Sequence, residues 1–175
     1  FYTQGEFDIA PLIARHGALK FLELGRSCVL KPYRTKPVVE LLWQGIWNYV
    51  RLYDLDVMLG CASLEGTDPS AHAMGLSFMA QNSAAPPEWQ VSALPGRKIE
   101  MNLLQPAKVD AKRALRMLPP LIKGYLRIGC YVGDGAVIDH QFNTIDVLII
   151  LPVSAIHPRY FSYFGQPGED PLAQP

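Results

Sequence analysis

Hydrophobic and polar residues follow a pattern along the chain that predicts an ordered series of strands and helices. Apolar side chains recur at helical spacing over residues 38–53, and a period of two predicts strands over 21–30 and 57–64. Thr35 is in position to be the N-cap of this helix, with Pro37 near its first turn. Two strands joined by a helix of this length are normally parallel neighbours.

The remaining segments predict further elements on both sides of this strand, helix, strand unit. Helices are expected over 6–17, 70–81 and 110–128, the last broken at Pro119, and residues 84–104 are expected to be irregular. Residues 131–153 predict a strand, a hairpin turn at 133–135, a second strand, a turn near Asn143 and a long apolar strand. An aromatic helix is expected over 157–164. The fold class is therefore α/β or α+β with a partly parallel sheet over residues 1–165, followed by a loose polar tail over 166–175.

Composition narrows the classes of function. The 175 residues are 49% hydrophobic and carry 16 Lys and Arg against 16 Asp and Glu, so a folded domain is expected and the charge excess typical of nucleic-acid binders is missing. The longest apolar stretch, 147–153, is far below the roughly 20 residues that span a bilayer. The spacing of the three cysteines and four histidines favours neither a disulfide framework nor a metal site. A cytoplasmic location is therefore expected, with peripheral membrane contact through the aromatic residues near position 160 as an alternative.

A polar face on the first predicted strand is one candidate for chemistry. Glu23, Gly25 and Ser27 alternate on one side of a strand that is otherwise expected to be buried. A glycine within a strand often marks a bulge or the close approach of a ligand. The period of two equally allows Glu23 and Arg26 to reach solvent at an edge strand, so both interpretations stay open.

The second predicted strand carries small residues and is followed by acidic ones. Cys61 and Ser63 leave room beside the first strand, and Glu65 and Asp68 lie where parallel strands usually end near ligands. Cys61 is interpreted as a packed core thiol. A nucleophile assisted by His72 is the less favoured alternative.

Basic residues are concentrated in two places. Lys31, Arg34 and Lys36 lie at the start of the predicted helix, where free amides make a natural site for an anion, although a solvated basic loop is the alternative. Neither a G-x-G-x-x-G nor a Walker motif is present, so a nucleotide is not indicated. Residues 110–130 hold five basic residues against Asp110, and residues 131–175 hold five acidic residues against Arg159. A neutral total thus combines a basic helix with an acidic final part.

Four sequence blocks together carry a resemblance to a known family. They are LELGRSCVLKPYRTKPVVELLWQGIW, DVMLGCASLEGTD, LPPLIKGYLRIGCYVGDGAVID and NTIDVLIILPV. The chain resembles the ornithine-acyl-carrier-protein N-acyltransferases, often described as hemolysin-like proteins of the GNAT fold, and more distantly the acyl-homoserine-lactone synthases. The resemblance implies a mixed sheet flanked by helices. It also implies transfer of a 3-hydroxyacyl chain from acyl carrier protein to the α-amino group of ornithine, which gives lyso-ornithine lipid.

The resemblance also suggests roles for the candidate residues. Backbone amides near Gly25 and Ser27 would polarise the thioester carbonyl, Glu23 would accept a proton from the attacking amine, and Arg26 would bind the substrate carboxylate. Substrate contacts are expected from Gly25, Cys61, Ser63, Glu65 and Asp68, with Glu65 or Asp68 meeting the side-chain ammonium. The phosphopantetheine arm and the carrier protein are expected at Lys31, Arg34, Thr35, Lys36, Lys123 and Arg127. The donor is then a thioester substrate, and no bound cofactor or metal is expected.

Two further expectations concern the extent of the chain and its alternatives. Members of the family are longer at the N-terminus, so the opening strands of their sheet have no counterpart before Phe1. A non-catalytic fragment that binds acyl carrier protein is one alternative. Acylation of a different amino acid, and a thioesterase-like hydrolase that uses Cys61 or Ser63, are others.

Overall fold

The computed structural model describes residues 1–25, 27–33, 35–161 and 165–168, and in this part of the chain five strands form one mixed sheet. The strands are β1 (Phe21–Glu23), β2 (Val57–Glu65), β3 (Lys98–Ile99), β4 (Tyr131–Asp139) and β5 (Thr144–Pro152). Their order in the sheet is β1-β2-β5-β4-β3. Only β1 and β2 pair in parallel, and the other neighbours are antiparallel. The predicted α/β class with a partly parallel sheet is confirmed.

Five α-helices surround this sheet in the described residues. They are α1 (Ala10–Arg15), α2 (Lys36–Leu52), α3 (Ala73–Asn82), α4 (Ala111–Met117) and α5 (Pro120–Ile128). Thr35 is the N-cap of α2 in extended conformation, and Pro119 separates α4 from α5, both as predicted. None of the described helices is both long and apolar enough to cross a membrane.

The end of the chain is described only in part. Of the predicted helix over 157–164, the described residues contain a 3-10 turn at Pro158–Tyr160, and residues 162–164 lie outside the described part. Residues 169–175 of the predicted tail lie outside it as well.

The first strand is much shorter than the pattern predicts. Pairing with β2 ends at Glu23, and one more backbone bond joins the Leu24 N–H to the Leu59 carbonyl at 2.7 Å. Gly25 and Ser27 follow as exposed residues without strand structure. The prediction of a strand over 21–30 is wrong beyond Glu23, because alternation can continue in a segment that has left its partner strand.

The predicted hairpin turn at 133–135 is also wrong, because this glycine-rich segment is a bulge within β4. Between the pairs Val132 with Ile149 and Ala136 with Val147, four steps along β4 match two steps along β5. Gly135 has φ +84°, a conformation that favours glycine. The true hairpin turn lies between β4 and β5 and contains Asn143 at φ 55°, as predicted.

The two faces of the sheet are covered differently. Helices α2, α3 and α5 pack on one face, where Met58, Leu64 and Val147 meet Leu76 and Ile122. On the other face, the N-terminal segment and α1 contribute a second apolar cluster. Its buried residues include Phe7, Ile9, Leu12, Leu59, Leu148 and Ile150. This second cluster covers only one end of its face, and the other end is polar.

Gly60 is required where β1 leaves β2. A β-carbon at this position would lie 2.1 Å from the Leu24 carbonyl oxygen, a backbone atom that has little freedom to move. Gly60→Ala is therefore expected to lower the free energy of unfolding by about 1–3 kcal/mol, measured by urea denaturation. Gly25→Ala is the control, because its β-carbon would meet open space. Equal unfolding free energies for the two variants would contradict this account of the junction.

Candidate active site

The separation of β1 from β2 creates an opening at the edge of the sheet. After Leu24 the first strand departs, while β2 continues to Glu65 with no described strand on that side. The backbone groups of this exposed edge can pair with an extended ligand. Beneath the point of separation lies a small hollow of mainly apolar residues. Its lining includes Leu24, Met58, Gly60, Cys61, Tyr125 and Ile149.

Glu23, the last residue of β1, holds the N-terminal segment in place. Its carboxylate accepts hydrogen bonds from the Tyr2 N–H at 2.8 Å and from the N–H and hydroxyl of Thr3, both at 2.6 Å. Burial opposes ionisation, but the hydrogen bonds from Thr3 and Tyr2 outweigh it and hold the pKa of Glu23 below its ordinary value. Gly25 and Ser27 lie just beyond it in the exposed segment. The predicted roles of these three residues stay predictions, and Arg26 lies outside the described residues.

Cys61 lies on β2, and its side chain is on the same face as the N-terminal segment. The thiol sits 3.9 Å from the Thr3 hydroxyl. Burial, followed by the neighbouring Glu6 carboxylate, raises the pKa of Cys61 well above that of a free thiol. The group is therefore protonated at neutral pH, which disfavours a cysteine nucleophile. Ser63, two residues on, is exposed and pairs in register with Asp146 of β5.

Glu65 and Asp68 both lie at the exposed end of β2. The Asp68 carboxylate accepts hydrogen bonds from the Ser70 N–H at 2.9 Å and from the Ser70 hydroxyl at 2.7 Å. These bonds lower the pKa of Asp68 and explain the residue as a cap of the following 3-10 turn. His72 Nε2 lies 2.9 Å from the Glu65 carbonyl oxygen. A role of either carboxylate in binding the acceptor stays a prediction.

The structure also assembles an acidic cluster that the sequence patterns do not reveal. Glu6, Asp139 and Asp146 are all more than nine-tenths buried, and each offers an oxygen within 4.8 Å of the others. This acidic trio comes from the N-terminal segment, the end of β4 and the start of β5. Glu6 and Asp139 line an open cleft of about 730 Å³. The one signal in the sequence is Asp146, a lone carboxylate inside an otherwise apolar strand.

The predicted carrier-binding residues lie in the helical layer on the opposite face. Lys31 is in an exposed 3-10 turn, Thr35 precedes α2, and Lys36 pairs with Glu40 at 3.3 Å. Lys123 and Arg127 are one turn apart on α5. Arg34 lies outside the described residues. The α2 and α5 helices meet at Trp43 and Tyr125, whose rings are 5.2 Å apart, so both basic groups belong to one helical layer.

An apolar cavity of about 210 Å³ lies between these two helices and the C-terminal segment. Its lining includes Trp43, Met58, Gly124, Ile128 and Phe161. Met58 also lines the hollow beneath the opening between β1 and β2. The cavity and the opening therefore share a wall.

Comparison with known proteins first identifies the class. Residues 1–44 match the acetyltransferase (GNAT) domain family, which agrees with a five-stranded mixed sheet flanked by helices. The predicted GNAT-like fold class is thereby confirmed. No solved structure matches the chain significantly.

Curated relatives then identify the particular family. The chain is 54% identical over 169 residues to the L-ornithine N(alpha)-acyltransferase of Agrobacterium fabrum, covering 97% of the chain and 58% of that protein. It is 52% identical over 165 residues to the protein of that name from Rhizobium meliloti, covering 94% of the chain and 56% of the relative. The Rhodobacter capsulatus protein of that name is 34% identical over 164 residues, covering 94% and 62%. The chain is thus a relative of the L-ornithine N(alpha)-acyltransferases, as its motifs predict, and it spans a little over half the length of these relatives.

The three cysteines are expected to differ sharply in reactivity. Cys28 is exposed, whereas burial raises the pKa of Cys61 and raises that of Cys130 to about 12. Iodoacetamide at pH 7.5 should therefore alkylate Cys28 first, and Cys61 and Cys130 only after unfolding, as measured by peptide mass spectrometry. Labelling in urea is the control for intrinsic reactivity. Rapid alkylation of Cys61 in the folded protein would contradict this assignment and restore the hydrolase alternative.

Proposed function

We propose that this chain carries the catalytic site of an N-acyltransferase that moves a 3-hydroxyacyl chain from acyl carrier protein to the α-amino group of ornithine. The observation that carries the proposal is the opening between β1 and β2, formed by the sequence that the L-ornithine N(alpha)-acyltransferases share with this chain. The amides of a pantetheine arm are suited to pair with the free edge of β2. The thioester would then lie beside Gly25 and Ser27.

The reaction joins an amine to a thioester carbonyl. The free amine attacks the carbonyl carbon, the C–N bond forms, and the resulting oxyanion is stabilised by backbone N–H groups near Gly25 and Ser27. The C–S bond then breaks, and the carrier thiol leaves with a proton. Glu23 ends β1 at this opening, and its lowered pKa keeps it ionised, the form that attracts the substrate ammonium and accepts its proton. Because a carboxylate of lowered pKa is a weak base, it passes this proton on to solvent.

The apolar cavity between α2 and α5 offers a place for the acyl chain. Its wall is formed by aromatic and aliphatic side chains, and Met58 links it to the opening between the strands. A fatty chain buried there leaves water and gains about 0.8 kcal/mol for each CH₂ group. This gain would favour long-chain donors.

Acyl carrier protein is the proposed donor because the helical layer beside this cavity is basic. Lys31 and Lys36 precede or begin α2, and Lys123 and Arg127 lie on α5. Basic groups speed the encounter with an acidic partner and help to orient it. We infer that the protein works in the cytoplasm, where this donor is soluble.

The proposed reaction is tested with the purified chain, a 3-hydroxyacyl carrier-protein thioester and L-ornithine. The expected product is an Nα-acylated ornithine, detected by mass spectrometry together with the free carrier thiol. The matched coenzyme A thioester should react more slowly, because it lacks the acidic protein surface. Release of the thiol without amide formation would instead indicate a hydrolase, and carrier binding without turnover would indicate a binding fragment.

Gly124 provides a test of the acyl-chain cavity. A β-carbon there would meet no atom within 4 Å, so Gly124→Leu fills the cavity without a backbone clash. The variant should shift the preference to shorter acyl chains, measured as kcat/KM over a series of donors. Leucine is also the better helix former by up to about 0.8 kcal/mol, so unfolding should not become easier. Gly45→Leu on exposed α2 surface is the control, and the same chain-length profile in all three proteins would refute the assignment.

A further inference from the structure

The acidic trio holds more negative charge than the described residues around it neutralise. Glu6 is 3%, Asp146 6% and Asp139 7% exposed. The cation that meets this group is Arg97, whose Nη2 lies 3.4 Å from Glu6 Oε1 and whose Nη1 donates to the Gly5 carbonyl. Lys98 on the cleft wall pairs instead with Asp134 at 2.6 Å. Three carboxylates against one guanidinium leave room for a further cation.

Several oxygen atoms in this cluster lack a hydrogen-bond donor among the described residues. Glu6 Oε2, Asp146 Oδ1 and the neighbouring Thr144 hydroxyl oxygen are all buried without a partner. Asp139 differs, because one of its oxygens accepts the N–H groups of Gln141 and Phe142 and so caps the β4–β5 turn. Buried polar atoms are normally satisfied, so these oxygens indicate a ligand that donates hydrogen bonds.

The spacing of the trio suits an ammonium group. Charge-assisted N–H···O bonds are about 2.8 Å long, and three of them in tetrahedral directions join oxygens about 4.6 Å apart. The oxygens of the trio all lie within 4.8 Å of one another. A primary ammonium has three such donors and can therefore satisfy one oxygen of each carboxylate.

The other charges in the cleft favour an amino acid over a metal ion. Arg97 already touches Glu6, and its positive charge would repel a divalent cation in this small space. The same guanidinium is suited to a carboxylate, which it can bind with two parallel hydrogen bonds. A cleft that offers buried carboxylates and a guanidinium together matches a molecule that carries both an ammonium and a carboxylate.

We propose that Glu6, Asp139 and Asp146 bind the side-chain ammonium of the basic amino-acid acceptor, with Arg97 beside them for its carboxylate. This assignment rests on the proposed function and places acceptor selection in the cleft, rather than at the exposed Glu65 and Asp68. Burial raises the pKa of Glu6, as the clustered carboxylates require when no cation is bound. Tyr2 lines the cleft and lies next to Glu23, so the cleft adjoins the opening where the thioester would sit.

The test compares L-ornithine with L-norvaline, which has the same carbon chain and lacks the side-chain amine. Asp146→Asn preserves shape and removes one charge of the trio. It should raise KM for ornithine about tenfold or more and leave KM for norvaline unchanged, so the preference for ornithine falls by the same factor. Glu6→Gln should have the same effect. Glu88→Gln, an exposed change of equal charge outside the cleft, is the control.

Binding of the two amino acids is measured separately by calorimetry, without a donor. If ornithine is acylated but Asp146→Asn keeps the full preference over norvaline, the assignment of the trio is overturned and the acyltransferase stands. If ornithine binds in a manner that depends on Asp146 but is never acylated, the site stands and the proposed reaction falls. Tight binding of Mg²⁺ or Ca²⁺ that Asp146→Asn abolishes, with no binding of ornithine, would overturn the assignment in favour of a metal site.

Discussion

The close contact between the Leu24 carbonyl and Gly60 determines how the proposed active site is built. It is the last point at which β1 and β2 touch, and Leu24 makes the final backbone bond to Leu59 there. Because Gly60 has no side chain, the first strand can lie directly on the second before leaving it. The opening for the donor, the hollow beneath it and the position of Glu23 all follow from this one contact.

The two faces of the sheet divide the proposed work between them. One face is covered by helices and holds the apolar cavity and the basic helix ends, which suit an acyl chain and an acidic carrier. The other face is apolar at one end and acidic at the other, and there burial of three carboxylates lowers the stability of the folded protein. Such a local cost is typical of binding sites, where the ligand supplies the missing partner. A neutral total charge conceals this division.

Periodicity predicted those elements whose stability depends mainly on their own sequence. The helix after Thr35, the break at Pro119 and the strand at β2 are of this kind, because apolar spacing and proline act locally. The length of β1 was wrong, since it depends on where a distant strand stops pairing. The role of the glycines at 133–135 was wrong for the same reason: a bulge and a turn use the same residues. The acidic trio was missed because its members meet only in the folded sheet.

The bulge in β4 also sets the distance between carboxylates. At Val132 the residue numbers of paired positions in β4 and β5 add to 281, whereas at Ala136 and beyond they add to 283. An unbroken ladder would place Asp139 opposite residue 142, four positions from Asp146. The two additional residues bring it opposite Thr144, which is about 7 Å closer along the strand. The spacing of the acidic trio is thus a property of strand register, and an insertion in one strand brings together two carboxylates that regular pairing would keep apart.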